Sequence, residues 1–443
     1  MIEKISVRCI CLLFSIGLNA QHTFSVEEAQ QFGLQNNYEV KNALLEVGIA
    51  SKQMKETIAT GLPQINAEGQ WQKFLTVPTT LVPSESFGGD PSNEFIELQF
   101  GLPLTTSASI TASQLLFNGS YLVGLKAAKS FMAFSRMRKD FTENQIEDSI
   151  AVAYYNVLIT KENRDFLEAL VETHNTIVTE IKAKHEAGFV EDLEVDRMEL
   201  ALSNMKMQFE NMSQRAELSE AYLKLILGVK LEENIQLTDS LPQLLNSSIS
   251  FKIEEANVKK RIEYKMAVMN AELKKLDLRR YQTDKLPTIA AFGSVNTSSM
   301  GNEFTAFDSG SNWYPSQLVG VKVSIPIFDG LGGSARIQKA RLVWEQAKNT
   351  KNQTEESLQL AHLSAQSEFI NSVSNYEHQK TNLVLSKKIY EKTLAKYREG
   401  LISSLELSQV GTEYLNANTN FSKNIYTLLI KNLNYQRSLG KEK

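Results

Sequence analysis

The chain has 443 residues, with 51 acidic and 47 basic side chains and a net charge of −4. That near balance, without a basic run, excludes an electrostatic nucleic-acid binder. Both cysteines, Cys9 and Cys11, lie before residue 20, which leaves the rest of the chain without disulfide, thiol or cysteine–metal chemistry.

Residues 1–20 read as an export signal. Lys4 and Arg8 flank a short apolar run from Ile10 to Leu18, and Leu18-Asn19-Ala20 is a small-residue cleavage site before Gln21. The run is too short to span a bilayer, and neither cysteine sits where a lipid-modified one would follow it. After residue 20 no apolar run reaches about 18 residues, which excludes a helical membrane span but not a β-barrel one.

Phe24 to Thr60 reads as one helix opened by Ser25, with Glu27 and Glu28 in its first turn, and Leu62-Pro63 stops it. From Ile65 the period changes to two: Ile65, Ala67, Gly69 and Trp71 alternate with Asn66, Glu68, Gln70 and Gln72, the pattern of a strand with one apolar face. Residues 75–105 hold Pro78, Pro83, Gly88-Gly89, Pro91 and Pro103 and read as a long irregular loop. Ile110 and Ala112 alternate with Thr111 and Ser113 in a returning strand that ends near Phe117.

Ser120 to His185 has no proline, and Ile150, Ala153, Val157, Leu167, Val171, Val178 and Ile181 recur at spacings built from three and four. This is one helix, or two stacked end to end, about 100 Å long at 1.5 Å per residue. A second helix runs from Glu191 to Leu227, with Met198, Leu202, Met205, Phe209, Met212 and Ala216 on a heptad seam. Such narrow seams suit helices assembled side by side rather than one globular core. Residues 229–260 form a connector with Pro242 and Asn246-Ser247-Ser248. The plan then repeats: a helix from Glu254 to Lys285; a strand after Pro287 with Phe292, Ser294 and Asn296 on one face; a polar loop over Asn296–Asn302 and Ser309–Asn312. A returning strand follows, with Val319, Val321, Val323, Ile325 and Ile327 opposite Lys322 and Ser324. Helices from Ser334 to Arg398 and from Ser403 to Leu439 close the chain.

The repetition is a duplication. Gly188 and Gly400 each interrupt a long helical pattern, at a separation of 400 − 188 = 212 residues, and Gly228 and Gly440 follow them by 40 residues. Glycine ends helices readily because it tolerates the left-handed cap conformation. Leu62-Pro63-Gln64-Ile65 recurs as Leu286-Pro287-Thr288-Ile289, offset by 224, and Phe117-Asn118-Gly119 as Phe328-Asp329-Gly330, offset by 211. The first half is therefore 13 residues longer between those landmarks (224 − 211).

Two strands per half give four in all, too few to close a barrel, while an open sheet leaves unpaired edges. Three chains would pool twelve, and Trp71, Phe74, Trp313 and Tyr314 stand near strand ends, where interface-anchoring aromatics belong. Val319, Val321, Val323 and Ile325 are the expected lipid-facing strand. The fold class expected is mainly α with a small antiparallel β part: an internally duplicated α-barrel of long helices, plus four strands given to a shared trimeric transmembrane β-barrel.

In these features the chain resembles the TolC family of outer-membrane efflux proteins. The resemblance rests on the duplication, the Leu-Pro-Gln-Ile and Leu-Pro-Thr-Ile openings, and the Phe-Asn-Gly and Phe-Asp-Gly closings. The turns ending Ala187-Gly188 and Glu399-Gly400, each followed five residues on by Leu193 or Leu405, complete it. It covers about residues 24–440. It implies a homotrimer in outer-membrane lipid, extending into the periplasm of a Gram-negative-type cell, with no cofactor. The implied division is a signal peptide (1–20), an N-terminal helix and equatorial part (21–61), a first β-hairpin (62–118), a first periplasmic helical hairpin (119–228) and an equatorial connector (229–260). A helix opening the second repeat (261–285), a second β-hairpin (286–329) and a second helical hairpin with the C-terminal equatorial part (330–443) follow. Residues 21–35, 229–260 and 436–443 would make up the equatorial region. The implied function is the duct of a tripartite efflux or type I secretion system, passively passing substrates from an inner-membrane pump of RND or ABC type. Around Gly188, Phe189, Val190 and Leu193, and around Gly400, Leu401, Ile402 and Leu405, the turns would be periplasmic tips that dock a membrane-fusion adaptor. Six residues past each turn stand Glu194 and Glu406, at acidic gate positions; Gln409 replaces a second acid. Three like charges around a narrow throat would favour cations. The alternative is a soluble periplasmic coiled-coil scaffold or adaptor without a pore.

His22, His174, His185, His362 and His378 are scattered, no His-Glu-x-x-His or carboxylate cluster suggests a metal, and no Gly-x-Ser-x-Gly elbow is present. Gly330, Gly332 and Gly333 lack the Lys-Ser/Thr of a phosphate loop and read as a strand-to-helix bend. No enzyme is expected.

Overall fold

The computed structural model describes residues 22–84, 94–249, 254–303, 308 and 312–440. The expected export signal at 1–20, Gly88-Gly89 and Pro91 of the long loop, and residues 309–311 lie outside the described residues. In chain order the structure runs β1 (His22–Phe24), α1 (Val26–Asn36), α2 (Tyr38–Ala59), β2 (Gln64–Lys73), β3 (Thr79–Pro83), β4 (Phe95–Gln99) and β5 (Leu104–Phe117). There follow α3 (Gly119–Glu186), α4 (Asp192–Leu227), β6 (Ile235–Leu237), α5 (Leu241–Ile249), α6 (Ile262–Thr283), β7 (Thr288–Gly301), β8 (Tyr314–Ser324), α7 (Gly332–Arg398) and α8 (Ser404–Ser438). It is a mainly helical protein with a small antiparallel sheet. The chain divides into two compact units, one holding residues up to 46, 137–266 and from 352 on, the other 47–136 and 267–351.

The helical unit begins at the expected cap. The Ser25 hydroxyl accepts from the Glu28 amide at 3.3 Å while the Glu28 carboxylate accepts from the Ser25 amide at 2.8 Å, a reciprocal box that satisfies two end donors. The single helix expected over 24–60 is in fact two. Asn37 breaks it: its Oδ1 accepts from the amides of Glu39 and Val40, at 2.7 and 3.2 Å, and so caps α2, while its amide donates to the Ile226 carbonyl at 2.7 Å. β1 pairs in parallel with β6, His22 opposite Ile235 and Phe24 opposite Leu237. Over this ribbon Phe24, Ala29, Val40, Ile150, Tyr154, Val157, Leu223 and Leu227 form one core. A second core joins Ile159, Leu241, Leu245, Phe369, Tyr376, Leu428 and Tyr435. The third lines the facing stripes of α3, α4, α7 and α8, and it buries the seam residues Met198, Leu202 and Met205, with Phe209 and Met212 packed against it.

Arg437, near the end of α8, grips α3. Its guanidinium donates to Asp148 at 2.7 Å, to the Asn144 side chain at 3.1 Å and carbonyl at 2.9 Å, and to Glu147 at 2.9 Å. The helix expected from Glu254 starts only at Ile262. A 3-10 turn (Val258–Lys260) precedes it, and Asn257 is instead tied to the end of α8 through a bond from its amide to the Leu439 carbonyl at 3.0 Å.

The second unit carries the four-stranded sheet, in the order β2-β5-β7-β8, every neighbour antiparallel. The expected count of four strands holds for this sheet but not for the chain, because β1/β6 and β3/β4 add two ribbons of two strands each. The region read as a loop over 75–105 contains β3 and β4, paired from Thr79 opposite Gln99 to Pro83 opposite Phe95. Pro83 is tolerated because a two-stranded ribbon leaves one side of each strand without ladder bonds. β7 also runs on through the expected loop at Asn296 to Gly301, where Asn296, Ser298 and Ser299 pair with Ser109, Ser107 and Thr106 of β5. β8 stops at Ser324, so Ile325 and Ile327 follow the strand instead of lying in it.

The motifs closing the hairpins are helix caps. Asn118 Oδ1 accepts from the Tyr121 amide and the Ser120 hydroxyl, both at 2.8 Å, and starts α3, while its amide donates to Thr288 Oγ1 at 2.8 Å. Asp329 does the same for α7, accepting from the Gly333 amide and, at 3.2 Å, from Arg336. Here the glycines form the expected bend, with Gly330 at φ 64° and Leu331 at 68°. Among the described residues no helix is long and apolar enough to cross a membrane.

Candidate functional site

In the sheet, paired residues share a face. Ile65, Ala67, Gly69 and Trp71 of β2 lie opposite Ala112, Ile110, Ala108 and Thr106 of β5, which continue into Gly293, Val295, Thr297 and Ser299 of β7. Ile289, Ala291 and Gly293 extend this face to Val323, Val321 and Val319 of β8. The other face carries Asn66, Glu68, Gln70, Ser107, Ser109, Thr111, Ser294, Asn296, Lys322 and Ser324, with Phe292 as an exception that fills the space over Gly320. The apolar face is not covered by protein: Ile65 is 72% exposed, Val319 85%, Val321 62% and Val323 56%. Ile325, just past the strand, is likewise exposed. Leaving such a row in water would cost about 25 cal/mol per Å², and β2 and β8 each keep an unpaired edge.

The two turns of the helical unit are built alike. Gly188 and Gly400 both take φ 75°. The Gly188 amide donates to His185 O at 2.8 Å and the Phe189 amide to Lys184 O at 2.9 Å; Gly400 and Leu401 bond Tyr397 O and Lys396 O at 3.0 Å each. These are two Schellman caps, possible because glycine carries no Cβ into the left-handed region. Residues 212 apart take equivalent places. Phe189 and Leu401 are exposed by 81% and 72%, Leu193 and Leu405 are exposed, and Val190 and Ile402 are half-buried. Val195 and Leu407 anchor both turns in the core.

The equivalence fails at the acids. The Glu194 carboxylate accepts from the Ser404 backbone amide at 3.0 Å and from Arg197 at 3.3 Å, so a residue of α4 caps the first turn of α8. Burial would raise its pKa, but the bonds from Ser404 and the charge of Arg197 outweigh that and hold it below the usual carboxylate value. Glu406 is exposed, and its carboxylate has no hydrogen-bond or ion-pair partner among the described residues; Gln409 is exposed and reaches Glu413 at 3.5 Å. Two more bonds tie the turns together: Lys184 Nζ donates to the Arg398 carbonyl at 3.3 Å, and Arg398 stands 3.8 Å from Glu180. Beneath them Tyr390 stacks on Tyr414 at 5.2 Å and on His174 at 6.2 Å, ring centre to ring centre. His174 is 1% exposed; its Nδ1 meets the Leu170 carbonyl at 3.0 Å and its Nε2 has no hydrogen-bond partner among the described residues. Burial pushes its pKa down, against the weaker pull of the Leu170 bond, and keeps the ring neutral. Among the described residues no group of His, Cys, Asp and Glu could hold a metal ion.

Residues 267–441, most of the second half of the duplication, match the family model described as outer membrane efflux protein. This domain belongs to the outer membrane efflux protein family. The chain that carries this domain is an outer-membrane protein that reaches into the periplasm, with the fold of the outer-membrane channels. It superposes on the CmeC outer membrane channel of Campylobacter jejuni with a TM-score of 0.73, at 16% identity over 94% of this chain and 85% of that one. The outer membrane protein VceC of Vibrio cholerae gives 0.69, at 14% identity over 94% and 96%, and the open-state MtrE outer membrane channel of Neisseria gonorrhoeae 0.71, at 16% over 94% and 88%. Among curated proteins, none matches this sequence.

Proposed function

We propose that this efflux channel is the outer-membrane duct of a tripartite export system, a homotrimer whose twelve pooled strands form one barrel in outer-membrane lipid. The observation that carries the reading is the sheet. Its four strands have one exposed apolar face, one polar face with Lys322, and two open edges. Lipid against the first, water against the second and copies of the same chain along the edges satisfy all three at once. Adjacent strands would remain antiparallel around such a ring.

The two Schellman tips, with Phe189, Leu193, Leu401 and Leu405 exposed on them, suit docking of a periplasmic adaptor that links the duct to an inner-membrane pump of RND or ABC type. The pump supplies the energy and the duct passes substrate passively. In the proposed entrance Glu406, whose carboxylate has no partner among the described residues, supplies a threefold ring of negative charge, with Gln409 one turn further in. Glu194 has a different part: it latches one helix pair to the other, and opening would require that bond to give way.

Single-channel conductance of the detergent-purified oligomer in a planar bilayer tests this, with Glu406→Gln alongside. A cation preference that weakens in the variant supports both duct and acidic ring. An unchanged preference keeps the duct and removes the ring. A chain that inserts nowhere and stays dispersed without detergent is a scaffold, and the proposal fails.

A further inference from the structure

At the end of the sheet remote from its helix junctions, a cavity of about 490 Å³ opens on the apolar face. That volume is within the range of about 300–1,000 Å³ that holds small ligands. Trp71 and Trp313 wall it, Gly69, Thr106 and Ala108 line it from the apolar face, and Gln70 and Ser107, whose side chains lie on the other face, complete the lining. The floor is low because its residues are small; a Cβ on Gly69 would meet nothing within 4 Å. A flat lipid-facing strand would carry Val or Leu here, as β8 does with Val319, Val321 and Val323. Two indoles standing over small residues make a slot instead of a wall. One pleat beyond Trp71 on the same face stands Lys73, exposed and without an ion pair among the described residues.

We propose that this slot is a lipid site, taking one acyl chain of a phosphorylated outer-leaflet glycolipid of the lipid A type, with its phosphate against Lys73. The inference rests on the membrane reading given above. If the helices lie in the periplasm, the Trp71 end of β2 faces the cell exterior, where phosphate-bearing lipid is the resident leaflet. The apolar slot continues the lipid-facing surface, indole rings favour the boundary between chains and headgroups, and a single cation at that depth complements an anionic headgroup. A zwitterionic phospholipid carries a phosphate but no net charge, so it would gain less from Lys73.

Tryptophan fluorescence reads the site directly. The chain has three tryptophans. The third, Trp344, lies on α7 between Lys348 and Lys275, 4.3 and 6.0 Å from its ring centre. Trp344→Phe leaves only the two that wall the slot. The variant oligomer is placed in nanodiscs of phosphatidylcholine with brominated chains, which quench any indole they touch. Unbrominated lipid A, or unbrominated phosphatidylcholine as the comparison, is then added. The expected result is half-relief of quenching at a mole fraction of lipid A about fivefold below that of phosphatidylcholine. Lys73→Gln should remove that advantage by deleting the cation, and Gly69→Leu should remove it by filling the floor. Equal relief by the two lipids would overturn the site while leaving the membrane reading intact, because both indoles would still be quenched at the outset. An advantage that survives both substitutions would overturn it as well. Absence of initial quenching would overturn both, since neither tryptophan would then touch lipid.

Discussion

His174 shows how one side chain can set a pH limit on the helical unit. Its Nδ1–H is spent on the Leu170 carbonyl, its ring stacks on Tyr390, and its Nε2 lies beside Gly411. Burial lowers its pKa, so the unfolded chain takes up the proton first and stability falls as pH drops below the unfolded value of about 6.5. Urea midpoints measured between about pH 7 and 5.5 should therefore fall more steeply in the native chain than in His174→Phe, which keeps the ring stack and loses the titration. Glu194 is shifted in the same direction, but against the effect of burial: its bonds from Ser404 and the charge of Arg197 lower it. Its lowered pKa makes its bond to Ser404 contribute fully above the unfolded value of about 4.3, with loss as pH falls through the native value. Glu194→Ala should cost about 1 kcal/mol, as the loss of a helix N-cap does, and hydrogen exchange at the first turn of α8 should speed up. If tip separation opens the duct, the same variant raises open probability; an unchanged open probability with faster exchange would confine Glu194 to stability. Sequence placed Glu194 and Glu406 at one repeat position and gave them one role. The chain separates them because the amide of Ser404 reaches Glu194, a pairing across 210 residues that no local pattern displays.

At the scale of elements, legibility followed length and regularity. α3, α4, α7 and α8 were readable because they hold no proline and end at glycine. Short elements defined by distant partners were not: β1 has three residues, no usable period, and a partner more than 200 residues away. β3 and β4 were masked by Pro78 and Pro83, which mark loops more often than ribbons. The polar end of β7 resembled a loop because Asn, Thr and Ser suit both a turn and a wet sheet face. Asn37 resembled a helical residue until its side chain was seen to cap the next helix. At the turns, Gly400→Val would force a β-branched residue to φ 75°, at a cost of about 1–2 kcal/mol. Since its position has open space around it, the damage should remain local: capture by a periplasmic adaptor weakens while the oligomer's mass in detergent is unchanged. Loss of the oligomer with adaptor capture intact would contradict the assignment of the turns as tips. Asn118→Ala should behave otherwise, releasing the start of α3 and the Thr288 contact together, with a loss of about 1–2 kcal/mol in unfolding free energy.

For the whole molecule, the open edges of β2 and β8 make the sheet incomplete in one copy. Light scattering on the detergent-purified protein should give three chains per particle. Since neither cysteine lies beyond residue 20, cysteines introduced on the outer edges of β2 and β8 should crosslink only between chains. A monomeric mass, or crosslinks confined to one chain, would exclude the shared barrel. The order in which the chain can be completed adds a constraint on its assembly. His22 pairs with Ile235, and β5 at 104–117 must wait for β7 at 289–301. A chain delivered to the periplasm from its N-terminus would expose Ile65, Trp71 and Ile110 well before any of these late partners emerged. Loop closures of this span are slow and leave apolar strands open to misassembly. The duplication, which lets each half form its own helical hairpin early, therefore does not spare the sheet. Until the second half arrives, the apolar face and the β7-side edge of the β2–β5 pair therefore stay open to misassembly.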